Sequence, residues 1–399
     1  MERTGKKEGI LFIDEINCVS ETLAPTMLQF LQNKTFGSHS VPEGWLIAAA
    51  GNPPEYNKSV REFDIVTLDR VRRMDIEADL DVWMEYAWKK EIHGSILAYL
   101  GMKKDHFYSV ENTVDGKFFV TARGWEDLSE ILKAYEELGV EITENLIGEY
   151  LCRDEIARSF FASYQLYRKY GEDYGLKRLL SGEMAEEEQQ KKVKMAEGAS
   201  FEERFLVTGL LLSGLNGSFL NYEKLDKETG AVYQELLHLK AFLHDKKDMT
   251  ALDEFTDVKK KSLAVRLEAE LLNLEQQTTE EFVIRTLEEF SLTIRKEHIT
   301  DTETGFERIR QLFTEMVEKR KDCAKKISRE LERAFAFMKA CFGDGQETVL
   351  FVTGLTRNSH AAAFIREYGC DPYFACSEKL LYRKQEKKLQ EECESLLKI

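Results

Sequence analysis

From Pro54 to Pro372 the chain contains no proline. Proline removes a backbone donor and its ring clashes with the preceding turn of a helix, so a stretch this long without one imposes few breaks on helix formation. The same stretch is rich in Leu, Glu and Lys, good helix formers, and is predicted to be mainly helical. The first 80 residues read differently. They hold Pro25, Pro42, Pro53 and Pro54, and short apolar runs alternate there with turn residues. Two of these runs, Ile10-Leu11-Phe12-Ile13 and Trp45-Leu46-Ile47-Ala48-Ala49-Ala50, have the length and character of buried strands. Between them Leu23, Met27, Leu28 and Leu31 recur at helical spacing, with Pro25 suited to a first turn. Strand, helix and strand in this order predict a βαβ unit with a parallel sheet. Met74-Asp75-Ile76 is a candidate for one more strand.

At 399 residues the chain is long enough for two or three domains. Its 43% hydrophobic and 32% charged residues exclude a mostly disordered polypeptide. A formal net charge of −16 argues against nonspecific binding to nucleic acid or an anionic membrane. No run of about 18 apolar residues predicts a membrane-spanning helix. The polar residues 1–8 lead into no secretory hydrophobic segment. The seven cysteines, Cys18, Cys152, Cys323, Cys341, Cys370, Cys376 and Cys393, form no CxxC pair and read as free thiols of a reducing cytoplasm. The histidines do not join them at zinc-ligand spacing.

Beyond residue 79 the pattern is helical. Trp83, Tyr86, Ala87 and Lys90 fit one helix, and Phe118-Phe119-Val120 is a short apolar entry to the next. Leu128, Ile131, Leu132 and Tyr135 line a face that Gly139 is suited to end. Residues 156–170 fit a further helix. Residues 181–200 are almost wholly polar and read as a linker, with the acidic 186–188 as a solvated face; a second polar interruption falls near 245–257. The clearest helix is 302–342, where Phe306, Ile309, Leu312, Phe313, Met316, Val317, Ile327, Leu331, Phe335 and Met338 form one stripe. Thr300 with Glu303 fits a capping box at its start. Residues 349–352 fit either a strand or a buried helix. The region 201–399 carries no catalytic grouping, and its stripes read as packed core.

Chemistry concentrates at the strand ends. Ile10–Ile13 is followed by Asp14 and Glu15, and carboxylates at the C-terminal edge of a parallel strand sit where open α/β sheets bind ligands. In nucleoside triphosphatases an acid there holds Mg²⁺ and the next one polarises an attacking water; the plain alternative is an acidic turn. The second strand runs into Gly51-Asn52-Pro53-Pro54, where Asn52 suits either a turn or a contact with the same water or a terminal phosphate. Leu68-Asp69-Arg70-Val71-Arg72-Arg73 is either a solvated edge or a source of permanent charge for a phosphate in an adjacent subunit. Arg123 falls in the first turn of a predicted helix, where the dipole disfavours a cation; pairing with Glu126 or Asp127 is the ordinary reason for one there.

This order of motifs resembles the AAA+ ATPases, and within them the MoxR-like branch, over about residues 8–170. The resemblance implies an α/β partial P-loop NTPase core with a parallel sheet, a helical lid and a mainly α-helical C-terminal region. It divides the chain into 1–80 (the C-terminal part of the nucleotide-binding core), 81–180 (lid), 181–200 (linker) and 201–399. Asp14 and Glu15 then match Walker B, the Mg²⁺-holding acid and the catalytic glutamate. Asn52 matches sensor 1, Arg70 the arginine finger with Arg72 and Arg73 as alternatives, and Arg123 sensor 2. The implied cofactors are ATP and Mg²⁺. The implied assembly is a homo-oligomeric, hexameric ring that remodels a protein substrate or activates a partner, in such systems one carrying a von Willebrand factor A domain. One departure is large: the phosphate-cradling G-x-x-x-x-G-K-[ST] occurs nowhere in the chain. Truncation ahead of the Walker B strand is the simplest expectation, with a split enzyme or a degenerate one as alternatives. A chain without that loop is expected to hydrolyse ATP negligibly by itself. The competing reading is a non-enzymatic helical interaction protein, a scaffold with a vestigial nucleotide fold.

Overall fold

The computed structural model describes residues 7–20, 22–53, 65, 69, 71–113, 116–244, 246, 248–269 and 271–379. The chain divides into two compact units, Met1–Glu77 with Asp257–Glu280, and Ala78–Thr256 with Glu281–Ile399.

The first unit contains β1 (Gly9–Ile13), α1 (Ala24–Asn33), a short antiparallel pair β2 (Thr35–Phe36) and β3 (His39–Ser40), and β4 (Trp45–Ala49). β1 and β4 pair in parallel, Gly9 opposite Trp45 through Ile13 opposite Ala49. This is the expected strand–helix–strand unit, with Pro25 in the first turn of α1. Alternation along the pleat sorts the side chains. Leu11, Ile13 and Ile47 are half-buried, whereas Ile10, Phe12 and Leu46 are 65%, 62% and 61% exposed on the other face. Residues 72–79 form no strand, and Met74 and Ile76 are exposed, so the third strand expected at 74–76 is not there. Two isolated apolar residues around an aspartate do not supply enough alternation to hold an edge strand.

The second unit is a helical assembly with one small hairpin. Its elements are α2 (Leu80–Lys89), α3 (Gly94–Met102), β5 (Ser109–Thr113), β6 (Gly116–Val120), α4 (Ala122–Leu138), α5 (Glu144–Tyr150), α6 (Asp154–Tyr174), α7 (Leu176–Ser181) and α8 (Glu186–Glu197). There follow α9 (Phe201–Leu243), α10 (Ala251–Glu268), α11 (Leu274–Lys296), α12 (Thr302–Phe342), α13 (Gln346–Arg357) and α14 (Ser359–Tyr368), except that Asp257–Glu280, most of α10 and the start of α11, belongs to the first unit. α9 and α12, 43 and 41 residues long, are the spine. On α12 the buried Ile327, Leu331, Ala334, Met338 and Cys341 alternate four and three apart, the spacing of a seam between long helices. α9 packs on α12, α3, α6, α13 and α14. Its first half enters the main core through Val207, Leu211, Leu215 and Phe219, and its second half enters another core through Val232, Leu236, Leu239 and Leu243. α12 visits the two cores in the opposite order, Ile309 in the second and Ile327 onward in the first, so the long helices run antiparallel.

The main core draws on residues from Trp83 to Cys370. The expected separation of a lid at 81–180 from a helical region at 201–399 is therefore replaced by one shared interior. The centre is aromatic. Trp125 is fully buried, packs edge-on to Phe160 at 5.3 Å between ring centroids, and donates its indole N–H to the Phe107 carbonyl at 3.1 Å. The polar segment 181–200 is not a linker throughout: it contains α8, which packs on α12 and buries Ala196. Glu186, Glu187 and Glu188 complement the dipole at its N-terminus, and both Glu188 oxygens accept from Arg178 at 3.0 Å. The expected interruption at 245–257 is shorter, since α10 begins at Ala251. Residues 349–352 lie in α13 and are helical. Phe118–Val120 belong to β6. α12 spans the 302–342 of the sequence reading, but its cap is Asp301, whose carboxylate accepts from Thr304 N at 2.8 Å, rather than Thr300.

Candidate functional site

β1 and β4 end level with one another. Beyond the last strand pair, Ala50 N donates to Ile13 O at 2.9 Å and Ile16 N donates to Ala50 O at 3.0 Å. The chain segments carrying Asp14-Glu15 and Asn52 therefore leave the sheet side by side at its C-terminal edge. A buried side chain ties them together: Asn17, 9% exposed, donates its Nδ2 proton to the Asn52 carbonyl at 2.8 Å. Gly51 is required for that approach, because a Cβ at this position would lie 2.4 Å from Asn17 Oδ1. Neither Asn17 nor Gly51 was singled out in the sequence. The signal was an asparagine two residues after the acid pair, which also reads as a turn residue.

Asp14, Glu15 and Asn52 are all solvent-exposed. Asp14 Oδ1 accepts from Glu15 N at 2.9 Å, which orients its carboxylate. Glu15 has φ 49 and ψ 38, the left-handed region, and precedes a 3₁₀ turn at Ile16–Cys18. A non-glycine residue there costs about 1–2 kcal/mol, and such residues cluster at functional sites. The turn redirects the chain immediately after the strand, so the glutamate is presented at the rim.

The remaining site residues lie elsewhere. Arg70 is outside the described residues. Arg72 and Arg73 are exposed, and Arg73 donates from Nε to Asp75 Oδ1 at 2.7 Å, the ordinary solvated-edge arrangement. Arg123 belongs to the second unit, in the first turn of α4 behind the Thr121 cap. The pairing with Glu126 or Asp127 is not made: Glu126 instead accepts from the Tyr86 hydroxyl at 2.7 Å, and Arg123 is exposed with no ion pair among the described residues.

A second grouping has catalytic composition and structural geometry. Ser95 Oγ lies 2.7 Å from His93 Nδ1, and His93 Nε2 lies 3.2 Å from Glu136 Oε2. Ser95 is 1% exposed at the start of α3, so no substrate reaches its hydroxyl. Burial pushes the Glu136 carboxyl up, but hydrogen bonds from His93 and Tyr164 and the charges of His93 and Arg168 outweigh it, holding the carboxyl below its ordinary range. Burial, then the Glu136 contact, raise the Tyr164 hydroxyl far above its usual value. This is a network that pins α3, α4 and α6 together.

Among the described residues no group of three or more His, Cys, Asp or Glu is placed to hold a metal ion, and no helix is long and apolar enough to cross a membrane. Cys18, Cys152, Cys323, Cys341, Cys370 and Cys376 are free thiols, and Cys393 lies outside the described residues. Comparison with protein-family models, with curated proteins and with solved structures returned no match.

Proposed function

We propose that the first unit carries the hydrolytic edge of an ATPase of the AAA+ type, MoxR-like in its order of motifs, and that the phosphate cradle it requires comes from outside these 399 residues. The observation that supports this reading is the level ending of β1 and β4, with the Asn17–Asn52 bond joining the two segments. A solvated acidic turn does not need a buried asparagine to hold a second strand end beside it.

The donor set at the rim fits Mg²⁺ in one respect. Asp14 and Glu15 offer hard carboxylate oxygens, and Mg²⁺ is commonly held by one or two carboxylates with water and substrate phosphates rather than by a protein cage. Bound there with a triphosphate, the ion would neutralise charge developing on the phosphoryl oxygens. In this reading Asp14 contributes a metal-facing oxygen, and Glu15 orients the attacking water and draws on its proton. The Asn52 amide donates to that water or to the terminal phosphate. Arg70 serves the nucleotide of a neighbouring subunit in a hexameric ring, and Arg123 takes the sensor 2 role that the resemblance implies. The output is remodelling of a protein partner, with a von Willebrand factor A domain protein as the partner class the resemblance suggests. The absence of the phosphate loop favours a second reading, a helical scaffold with a vestigial nucleotide fold.

Fusion separates the two. Residues 1–399 alone are expected to turn over Mg·ATP at background rate. A strand–P-loop–helix segment from a MoxR-like protein, fused ahead of Glu8, is expected to restore turnover that Glu15→Gln lowers at least 100-fold. Restored turnover indifferent to Glu15→Gln, or turnover of the unfused chain that Glu15→Gln removes, would count against the proposal.

A further inference from the structure

Far along the chain from the acidic rim, the second unit holds a cleft of about 310 Å³ lined by Ser181, Asp322, Lys325, Lys326, Arg329 and Arg333. Its lining has four cations and one carboxylate in a chain whose net charge is −16. The five charged residues all come from α12. At about 100° per residue, positions 322, 325, 326, 329 and 333 fall within roughly a quarter to a third of the helix circumference. The opposite wall is the end of α7.

The cations are not equivalent. Arg333 is built into the wall. Its Nη1 donates to the Leu180 carbonyl at 2.7 Å, one of the acceptors left over at the end of α7. Its guanidinium lies over Gly182, which has φ +81 and where a Cβ would come within 2.4 Å of Arg333 Cζ. Lys325 Nζ is 3.0 Å from Asp322 Oδ1, an exposed pair that holds neither side chain firmly. Lys326 Nζ is 3.8 Å from Glu330 Oε1, and Glu330, buried, takes a 2.6 Å hydrogen bond from Ser218 instead. Arg329 makes no ion pair or hydrogen bond among the described residues, although acids outnumber bases in the chain by 72 to 56. Lys325, Arg329 and Arg333 stand four apart, so their charges repel along the helix.

We propose that this cleft binds an oligophosphate anion of pyrophosphate to tripolyphosphate size. Arg329 and Lys325 engage the charge directly, Lys326 adds to the field, and the fixed Arg333 shapes the wall. Several like charges converging on one hollow, with one of them unpaired, fit a ligand carrying more than one negative charge, and guanidinium matches phosphate oxygens in pairs. The cleft volume lies at the low end of ligand pockets, about 300–1,000 Å³. A bare oligophosphate fills it, whereas a nucleotide would leave its base outside. The anion has two sources, a free inorganic chain or the phosphate tail of a nucleotide, and the two differ in whether the base adds affinity. This site is independent of the hydrolytic reading of the acidic rim and needs no Mg²⁺.

Titration calorimetry of the full chain with sodium tripolyphosphate, without Mg²⁺ and at low salt, tests the proposal. Saturable binding is expected, weakening at least tenfold in Lys325→Gln/Arg329→Gln and tightening a few-fold in Asp322→Asn, which removes the competing carboxylate. Glu15→Gln is expected to leave it unchanged. ATP binding as tightly as tripolyphosphate identifies the phosphate tail as a sufficient ligand; tripolyphosphate binding more tightly identifies the free chain. No saturation by 5 mM tripolyphosphate, or equal binding by wild type and the Lys325→Gln/Arg329→Gln variant with unchanged circular dichroism, overturns it. ATP binding with none of tripolyphosphate overturns it as well.

Discussion

The two units handle apolar surface in opposite ways. In the helical unit Trp125, Leu128, Leu132 and Phe160 are 0% exposed inside a core fed by helices from both ends of the sequence. In the α/β unit Ile10, Phe12 and Leu46 are more than 60% exposed on one face of a two-stranded sheet. The difference follows from where each element finds its hydrogen bonds. A helix satisfies its backbone internally and needs only a stripe of neighbours. A parallel strand needs partners on both edges and layers on both faces, and all-parallel sheets occur almost only with both faces covered. The helical unit has the makings of a self-sufficient fold, whereas among the described residues the sheet is two strands joined through one helix.

The largest effect that could break this contrast lies in the aromatic core. Trp125→Ala removes a fully buried indole and its bond to the Phe107 carbonyl. It is expected to cost about 3–5 kcal/mol of the helical unit's stability. Urea unfolding followed by far-ultraviolet circular dichroism measures it. A loss under 1 kcal/mol would show that the interior is loosely packed and that the contrast with the sheet is false.

What could be read from the sequence follows the same physical division. The bounds of α12 were legible because the stripe from Phe306 to Met338 repeats over many turns, and β1 and β4 were legible as compact apolar runs. Gly139, in the left-handed region at φ 67, ends α4 as its position suggested. The hairpin β5–β6 is hard to see in the sequence, although Asp115-Gly116 is a favoured hairpin pair, because the apolar run 118–120 reads equally as the approach to a helix. α8 was missed because its stability comes from acids at its N-terminus, an arginine fork and one buried alanine, none of which gives a hydrophobic period. At the candidate site the strand ends were readable from type and order. The Asn17–Asn52 contact was not, since it joins residues 35 apart across a sheet edge.

A smaller effect sharpens the helical side of the comparison. The Glu136 carboxyl is held below its ordinary range by His93, Tyr164 and Arg168 despite its burial. A carboxyl whose native pKa lies below its unfolded value adds stability above the unfolded value, about 4.3, and loses it as the pH falls through the native one. The urea midpoint of the helical unit is therefore expected to fall between pH 5 and pH 3 more steeply in the wild type than in Glu136→Gln. Parallel midpoint curves would remove the network from any role in pinning α3, α4 and α6.

The smallest expected effect on stability is at the exposed sheet face, and it is the most informative about the α/β unit. Ile10 pairs with Leu46 and Phe12 with Ala48 in register, so their side chains form a continuous apolar strip. Polar replacement in an interior costs several kcal/mol, but Phe12→Thr and Leu46→Thr remove little buried area and introduce a β-branched side chain suited to a strand. Stability is expected to change by about 0.5 kcal/mol or less. Self-association, read by light scattering at rising concentration, should fall, because an exposed apolar strip beside strand edges unpaired among the described residues invites edge-to-edge pairing. A loss of 2 kcal/mol or more in either variant would mean that this face is covered in the folded chain, and the sheet would then be as closed as the helical core.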